Sequence, residues 1–218
     1  MYLEGMKQVR VLHTDEVAVS FVDDVVAFLA ENARSCSFVR CADVAPELLD
    51  ARLREAHAGD MVLDWATTDE VLKSFQGEQT LVVLTTQGNA QNFFAFGEEG
   101  RYVVDVSGWT DLLGERNLDL RLPVAHQIAS CLLLDAVFGS MTAAAEAAHH
   151  LPRGCQLDLC LDKREVALKM RTADTCPSCM DLFAKAIDSR RLSALLLHDM
   201  FRVLDAVRSQ LLHRERQA

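Results

Sequence analysis

Four of the chain's seven cysteines fall within residues 154–183, as two pairs: Cys155 with Cys160, and Cys176 with Cys179. The spacing is C-x4-C, fifteen residues, then C-x2-C. A C-x2-C knuckle lets two thiolates reach one ion. A second pair, brought back by a short excursion, completes a tetrahedral four-thiolate site for Zn2+. Pro177 stiffens the knuckle, and "MDLFAKAI" after it begins a helix whose N-terminal field favours thiolates. Lys163, Arg164, Lys169 and Arg171 are close in sequence and would offset the charge of a zinc tetrathiolate. With every position filled by sulfur, such an ion, one per chain, holds the fold and does no chemistry. Two other readings stay open. Cys176–Pro177–Ser178–Cys179 could be a thioredoxin-type redox pair, or the four thiols could be unrelated core residues. Cys36, Cys41 and Cys131 sit in apolar settings and read as small core residues.

A catalytic ion would need an open position built from histidines. The helix-like "HQIAS" supplies His126, but Gln127, Ile128, Ala129 and Ser130 follow. In a His-Glu-x-x-His site, two imidazoles share one helix face and a glutamate serves as base. Here Gln127 cannot take a proton, and Ser130 stands where the second imidazole belongs. His149 and His150 lie ahead of the cysteines, and either could in principle join His126. A histidine pair at a helix end can equally cap the last carbonyls. No P-loop, G-x-S-x-G or G-x-G-x-x-G is present. The acidic run Asp105, Asp111, Glu115 and Asp119 reads as solvent-facing.

The elements that must position these residues change character along the chain. Residues 1–120 read as strands separated by helices, which argues for an α/β layer fold. "QVRVLH", "SFVRCADV", "MVLDWA", "TLVVLTT" and "YVVDVSGW" read as strands, with "TLVVLTT" buried on both faces. "SFVDDVVAFLAENAR" reads as a helix capped by Ser20, "PELLDARLREAH" as one opened by Pro46, and "TTDEVLKSF" as one capped by Thr67 or Thr68. "QGNAQNFFAFGEEGR" reads as a turn-rich connection exposing Phe93 and Phe94. Residues 121–150 are helical, and 151–188 form the zinc-binding segment with "EVALKMR" as a strand between the cysteine pairs. Residues 189–218 form a long last helix that starts near Asp188–Ser189. Its stripe of Leu192, Leu196, Met200, Val203, Val207 and Leu211 is widened by Leu195, Phe201, Leu204 and Leu212. That width suits packing on two sides or against a partner. All four parts are expected to form one compact domain.

The formal net charge is −10, with nine basic against 21 acidic side chains in residues 1–120 and 13 against 11 in residues 121–218. An acidic front half argues against nucleic acid and anionic lipid. With no secretory signal and no membrane span, a cytoplasmic protein is expected. There, disulfides are disfavoured and clustered cysteines read first as metal ligands.

C-x4-C … C-x2-C after a histidine-bearing helix and behind an α/β half resembles the C-terminal part of the archaemetzincins. Those are zinc metallopeptidases with an added four-cysteine structural zinc. The resemblance is most specific over residues 149–183 and looser over about 60–140. It implies a mixed sheet flanked by helices, zincin-like, and a structural-zinc role for Cys155, Cys160, Cys176 and Cys179. The family's methionine two places after the second cysteine is Asp162 here, and the full catalytic motif is absent, so peptidase activity is not implied. The expectation is a non-catalytic zinc-binding protein acting in protein–protein interaction or regulation, through a protein partner or self-association by the last helix. The alternative is an atypical metallohydrolase using His126 with His149 or His150.

Overall fold

The computed structural model describes residues 7–55, 62–75, 79–90, 92–113, 119–160 and 162–217. The alternation of Val9 and Val11 with polar residues after Lys7 forms β1 (Lys7–His13), and the 3.6-residue spacing that follows forms α1 (Val19–Asn32), which buries Val22, Val25, Phe28 and Leu29. β2 (Cys36–Arg40) returns parallel to β1, and α2 (Pro46–Glu55) opens on its proline. Then come α3 (Trp65–Phe75), the wholly buried β3 (Thr80–Thr85), β4 (Ala95–Glu98), β5 (Arg101–Asp105) and the short α4 (Trp109–Leu113). The second half is helical: α5 (Arg121–Phe138), α6 (Met141–Ala147), α7 (Glu165–Thr172), α8 (Pro177–Asp188) and α9 (Ala194–Glu215).

The strands form one mixed sheet in the order β2-β1-β3-β5-β4, with β4 antiparallel to β5 at the edge and the other pairings parallel. Alternation along β3 sends Val82 and Leu84 into a core shared with α1, α5, α8 and α9. Leu81 and Val83 point into a smaller core with Leu49 and Leu53 of α2 and Leu72 of α3. The expected α/β sheet with flanking helices is therefore present, buried on both faces. Among the described helices α5 alone is long and apolar enough to cross a membrane, but 67% of it is buried, so its apolarity serves the core. It lies against α1, α6, α8, α9 and the β4–β5 edge.

Several local expectations are corrected. Ser20 does not cap α1, which begins one residue before it. "MVLDWA" is not a strand. Leu63 makes an isolated bridge to Asn89, and Asp64 starts α3 by accepting from the Thr67 N–H at 3.3 Å; Met61 lies outside the described residues. Thr67 and Thr68 are thus inside the helix. Phe93–Glu98 is not an exposed connection, because Ala95–Glu98 is the edge strand and Phe94 is buried, stacked on Trp109 with centroids 3.4 Å apart. Asp105 does not face solvent; it is buried, accepts from Ser107 and pairs with Lys163 at 3.3 Å. Asp119 is likewise taken up, by Arg121 and Arg214, and Glu115 lies outside the described residues. "EVALKMR" is α7, not a strand. The last helix starts at Ala194 under Ser193, whose Oγ accepts from the Leu195 and Leu196 N–H groups. Its stripe is used within the chain: Leu192, Leu196, Met200, Val203, Val207 and Leu211 are buried, Phe201 and Leu212 half-buried, and Leu195 exposed. Asp199 of α9 ties that helix to the α1–β2 turn, accepting from the Arg34 and Ser35 N–H groups and the Ser35 hydroxyl.

Edge strand β4 depends on Gly97. Its φ is +145°, and a Cβ there would lie 2.1 Å from the Arg101 carbonyl oxygen on β5. The neighbour is backbone and cannot rotate away. Gly97→Ala is expected to cost about 2 kcal/mol or more and to loosen β4, read as a lower urea midpoint and faster amide exchange at residues 95–98.

Candidate metal centre and cleft

The candidate ligand residues are set by a short stretch of extended pairing after α6. His149 N–H donates to the Leu157 carbonyl at 2.8 Å, and Leu159 N–H donates back to the His149 carbonyl at 3.0 Å. Between them Asp158 folds the loop: one carboxylate oxygen, Oδ2, accepts from the backbone N–H groups of Arg153, Gly154 and Cys155 at 2.7, 2.6 and 3.0 Å. Gly154 stands at φ +86° with the Thr172 side chain where a Cβ would be, so this turn closes directly onto α7. Cys155 N–H faces Asp158, and Gln156 N–H donates to the Asp174 carbonyl at 2.9 Å, which brings Cys155 beside the start of α8.

The result is a group of four ligand atoms, from His149, Cys155, Cys176 and Cys179, all within 4.8 Å of one another. His149 Nε2 lies 3.0 Å from Cys179 Sγ and 3.3 Å from Cys176 Sγ; the two sulfurs are 3.4 Å apart. Zinc–sulfur bonds of about 2.3 Å put tetrahedral sulfurs roughly 3.8 Å apart, so this spacing suits one ion. The donor set, three thiols and an imidazole, is also a zinc set. Cys176 is the N-cap of α8, and hydrogen bonds from the Ser178 hydroxyl and the Cys179 N–H lower its pKa to about 6. Burial and the neighbouring thiols push Cys179 up.

This set differs from the expected four cysteines. Cys160 is not in it. The extended pairing that delivers His149 carries the chain past the cluster, and Cys160 emerges beside the Asp158 carbonyl, 3.8 Å away, in the wall of the neighbouring cleft. His149 takes the fourth place. Its signal in the sequence was the helix end just ahead of Cys155, read there as a capping position or a partner for His126. The basic residues expected to surround the ion go elsewhere. Arg164 pairs with Asp162, Arg171 with Glu215, Lys163 with Asp105, and Lys169 is buried in the cleft wall.

The cleft is a cavity of about 500 Å3 between edge strand β4 and helices α5, α6 and α7, closed on one side by residues 156–160. Gln127, Ser130, Cys131 and Leu134 form the α5 side. His126 does not line it. The imidazole is 1% exposed, and neither ring nitrogen has a hydrogen-bond partner among the described residues. Burial, with a smaller contribution from Lys169, lowers its pKa to about 3. No second imidazole or carboxylate joins it in a ligand group among the described residues, and His149 belongs to the cysteine cluster while His150 is exposed. The α5 residues therefore do not fit a zincin catalytic ion. Three polar residues of the cavity wall carry no such reading in the sequence: Gln156 is not singled out there, Ser130 is taken as the place of a missing imidazole and Lys169 as charge compensation. Lys169, Gln156 and Ser130 all line the cavity at 8%, 2% and 7% exposure.

A second acidic group, Asp15, Glu16 and Asp50, lies at the carboxyl ends of the parallel strands, with Arg54 bridging Glu16 and Asp50 at 2.6 and 2.7 Å.

No protein-family model matches the chain, and no curated protein matches it. Two solved structures are similar. One is archaemetzincin from Methanopyrus kandleri, 14% identical, covering 86% of this chain and 98% of that chain at a TM-score of 0.51. The other is a zinc-dependent peptidase from Methanocorpusculum labreanum strain Z, 15% identical, covering 80% of this chain and 98% of that chain at 0.45. At 14% identity the first likeness is one of architecture, and on that ground the mixed sheet, its antiparallel edge strand and the long flanking helices constitute an archaemetzincin-like, zincin-type fold.

Proposed function

We propose that this chain is a zinc-stapled, non-hydrolytic binding protein that takes an extended apolar peptide segment in the cleft beside β4. One observation carries the reading: edge strand β4 lines the cleft, yet the α5 face that borders it presents Gln127, Ser130, Cys131 and Leu134 instead of a ligand set and a base. An edge strand offers a row of backbone donors and acceptors to a further strand, and pockets beside it choose the side chains. Phe93, Phe96 and Leu134 supply such an apolar lining.

His149, Cys155, Cys176 and Cys179 would hold a single zinc, which when bound supplies structural cross-linking. Four protein ligands leave no position for water. The loop that carries Cys155 continues as the cleft wall at residues 156–160, so the staple keeps the binding surface in shape. Reduced thiols suit a reducing compartment.

The test uses the zinc-loaded chain and a mixture of quenched fluorogenic peptides. Expected is no cleavage above a metal-free blank, together with saturable binding of apolar peptides by fluorescence polarisation. Cleavage that disappears in a His126→Ala variant would establish the hydrolase alternative through His126 and overturn this reading.

A further inference from the structure

We propose that a second pocket, where the α8–α9 connection meets the α1–β2 turn and the start of β1, binds a ligand carrying two linked phosphate groups. This pocket shares no lining residue with the cleft, and the proposal does not rest on the peptide-binding reading.

The chain has a net charge of −10, so carboxylates are plentiful, and Arg10, Arg40, Arg101 and Arg121 each meet one. Lys7, Arg34, Arg190 and Arg191 have no ion-pair partner among the described residues, and all four line one cavity of about 810 Å3. The segments that carry them are tied together by their backbones. Lys7 N–H donates to the Ser35 carbonyl at 3.1 Å, and Arg34 N–H donates to Asp199 of α9 at 2.6 Å. Ser193, which caps that same helix, follows Arg190 and Arg191 directly and lines the cavity as well. Arg190 supplies an independent observation. The Arg190 and Arg191 N–H groups close α8 on the Ile187 and Ala186 carbonyls, both at 2.9 Å, and Arg190 stands at φ +60°. Glycine is the usual residue at this kind of helix ending, because left-handed backbone disfavours a Cβ. An arginine held there against its backbone preference points to a role for the guanidinium.

Charge sets the ligand class. Asp135 lines the cavity too and accepts from the Glu99 N–H at 3.2 Å, so four cations less one carboxylate leave +3. The N-terminus of α9 and the C-terminus of α5, at Gly139, both reach the cavity. Their fields oppose one another, so the side chains must carry the site. Two linked phosphates bear roughly three negative charges at pH 7, which matches that balance. Guanidinium forks grip phosphate oxygens two at a time, and three of the four cations are arginines. A lone carboxylate leaves most of the charge unmet. A long polyanion is repelled by the acidic remainder of the chain. Leu195, 68% exposed, lines the same cavity and offers apolar contact to the body that carries the phosphates.

The probe is inorganic pyrophosphate, titrated by calorimetry into the zinc-loaded full chain without added divalent cation. It should bind saturably, at least about tenfold tighter than orthophosphate, and more weakly as salt rises. Arg190→Gly removes one cation and suits the left-handed backbone. Its melting temperature should hold or rise while its affinity for pyrophosphate falls at least about tenfold. Arg34→Gln should lose affinity to a similar extent. Heat from pyrophosphate acting on the zinc is equal in parent and variants, so only the difference between them counts. Phosphatidylcholine vesicles carrying a diacylglycerol diphosphate separate the two sources of the ligand. Capture on them that pyrophosphate competes away supports the site with a lipid headgroup as its ligand. Pyrophosphate binding without vesicle capture supports the site with a soluble one. Absence of saturable binding, equal affinity for orthophosphate and pyrophosphate, or tighter binding of hexaglutamate overturns the proposal. So does a pyrophosphate affinity unchanged in both folded variants.

Discussion

A Cys179→Ser chain is expected to lose its zinc and at least about 4 kcal/mol of stability. Structural zinc contributes roughly 10–16 kcal/mol of apparent binding free energy in small zinc peptides, and here part of that is replaced by contacts the segment keeps without metal. The segment has such contacts: Cys155, Leu157, Val166, Met170, Cys179 and Phe183 belong to the main core. They anchor the loop from His149 to Cys160 only at Cys155 and Leu157, and among the described residues its regular pairing is two isolated bridges, His149 with Asp158 and Cys155 with Asp174. Loss should therefore concentrate there. Amide exchange at residues 149–160 should rise first, and peptide binding in the cleft should fall with it, because the same loop is the cleft wall. Elemental mass spectrometry gives the companion result. His149→Ala should release the ion as Cys179→Ser does, whereas Cys160→Ser should keep one zinc per chain. If Cys160→Ser releases the ion and His149→Ala keeps it, the ligand set is the four cysteines and not the three with His149.

The contrast between Cys160 and His149 shows where the sequence stops being informative. C-x4-C and C-x2-C spacing tells which residues are near one another along the chain. Which four meet depends on a pairing between residues eight apart, His149 with Leu157, and on a carboxylate that gathers three N–H groups. Neither leaves a spacing signature. Buried elements with a long periodic pattern were legible: β1, β3, β5, α1 and α5 stand where apolar periodicity puts them. Short ones were not. In "EVALKMR" Val166, Leu168 and Met170 alternate like a strand, but the buried set is Val166, Lys169 and Met170, a helical spacing, and Leu168 is exposed. β4 has four residues, one of them Gly97, too few for any period to show. Lys169 misled for the same reason. A lysine in a sequence reads as a solvated charge, and only tertiary packing puts this one in a cavity wall.

His126→Leu is expected to stabilise the chain, and more at pH 5 than at pH 7.5. In the folded chain the imidazole is fully buried, neutral and without a hydrogen-bond partner among the described residues, so leucine of similar bulk removes two orphaned nitrogens and keeps the packing. That alone is worth about 1–3 kcal/mol. The pH term adds to it. An unfolded histidine takes up a proton near pH 6.5, whereas the folded one does so only at about 3. Between those values the unfolded chain binds more protons, so stability is full above pH 6.5 and is lost as the pH falls towards 3. At pH 5 the loss is about 2 kcal/mol, and leucine does not incur it. Urea melts of parent and variant at both pH values read the effect. Acid also strips zinc from thiolates, but equally in both chains, so the difference between their pH dependences isolates residue 126. A variant less stable than the parent, with the parent's pH dependence unchanged, would mean that the imidazole is engaged in solution. A cation held at the α5 face would then be the first explanation to examine, and the hydrolase alternative would return with it.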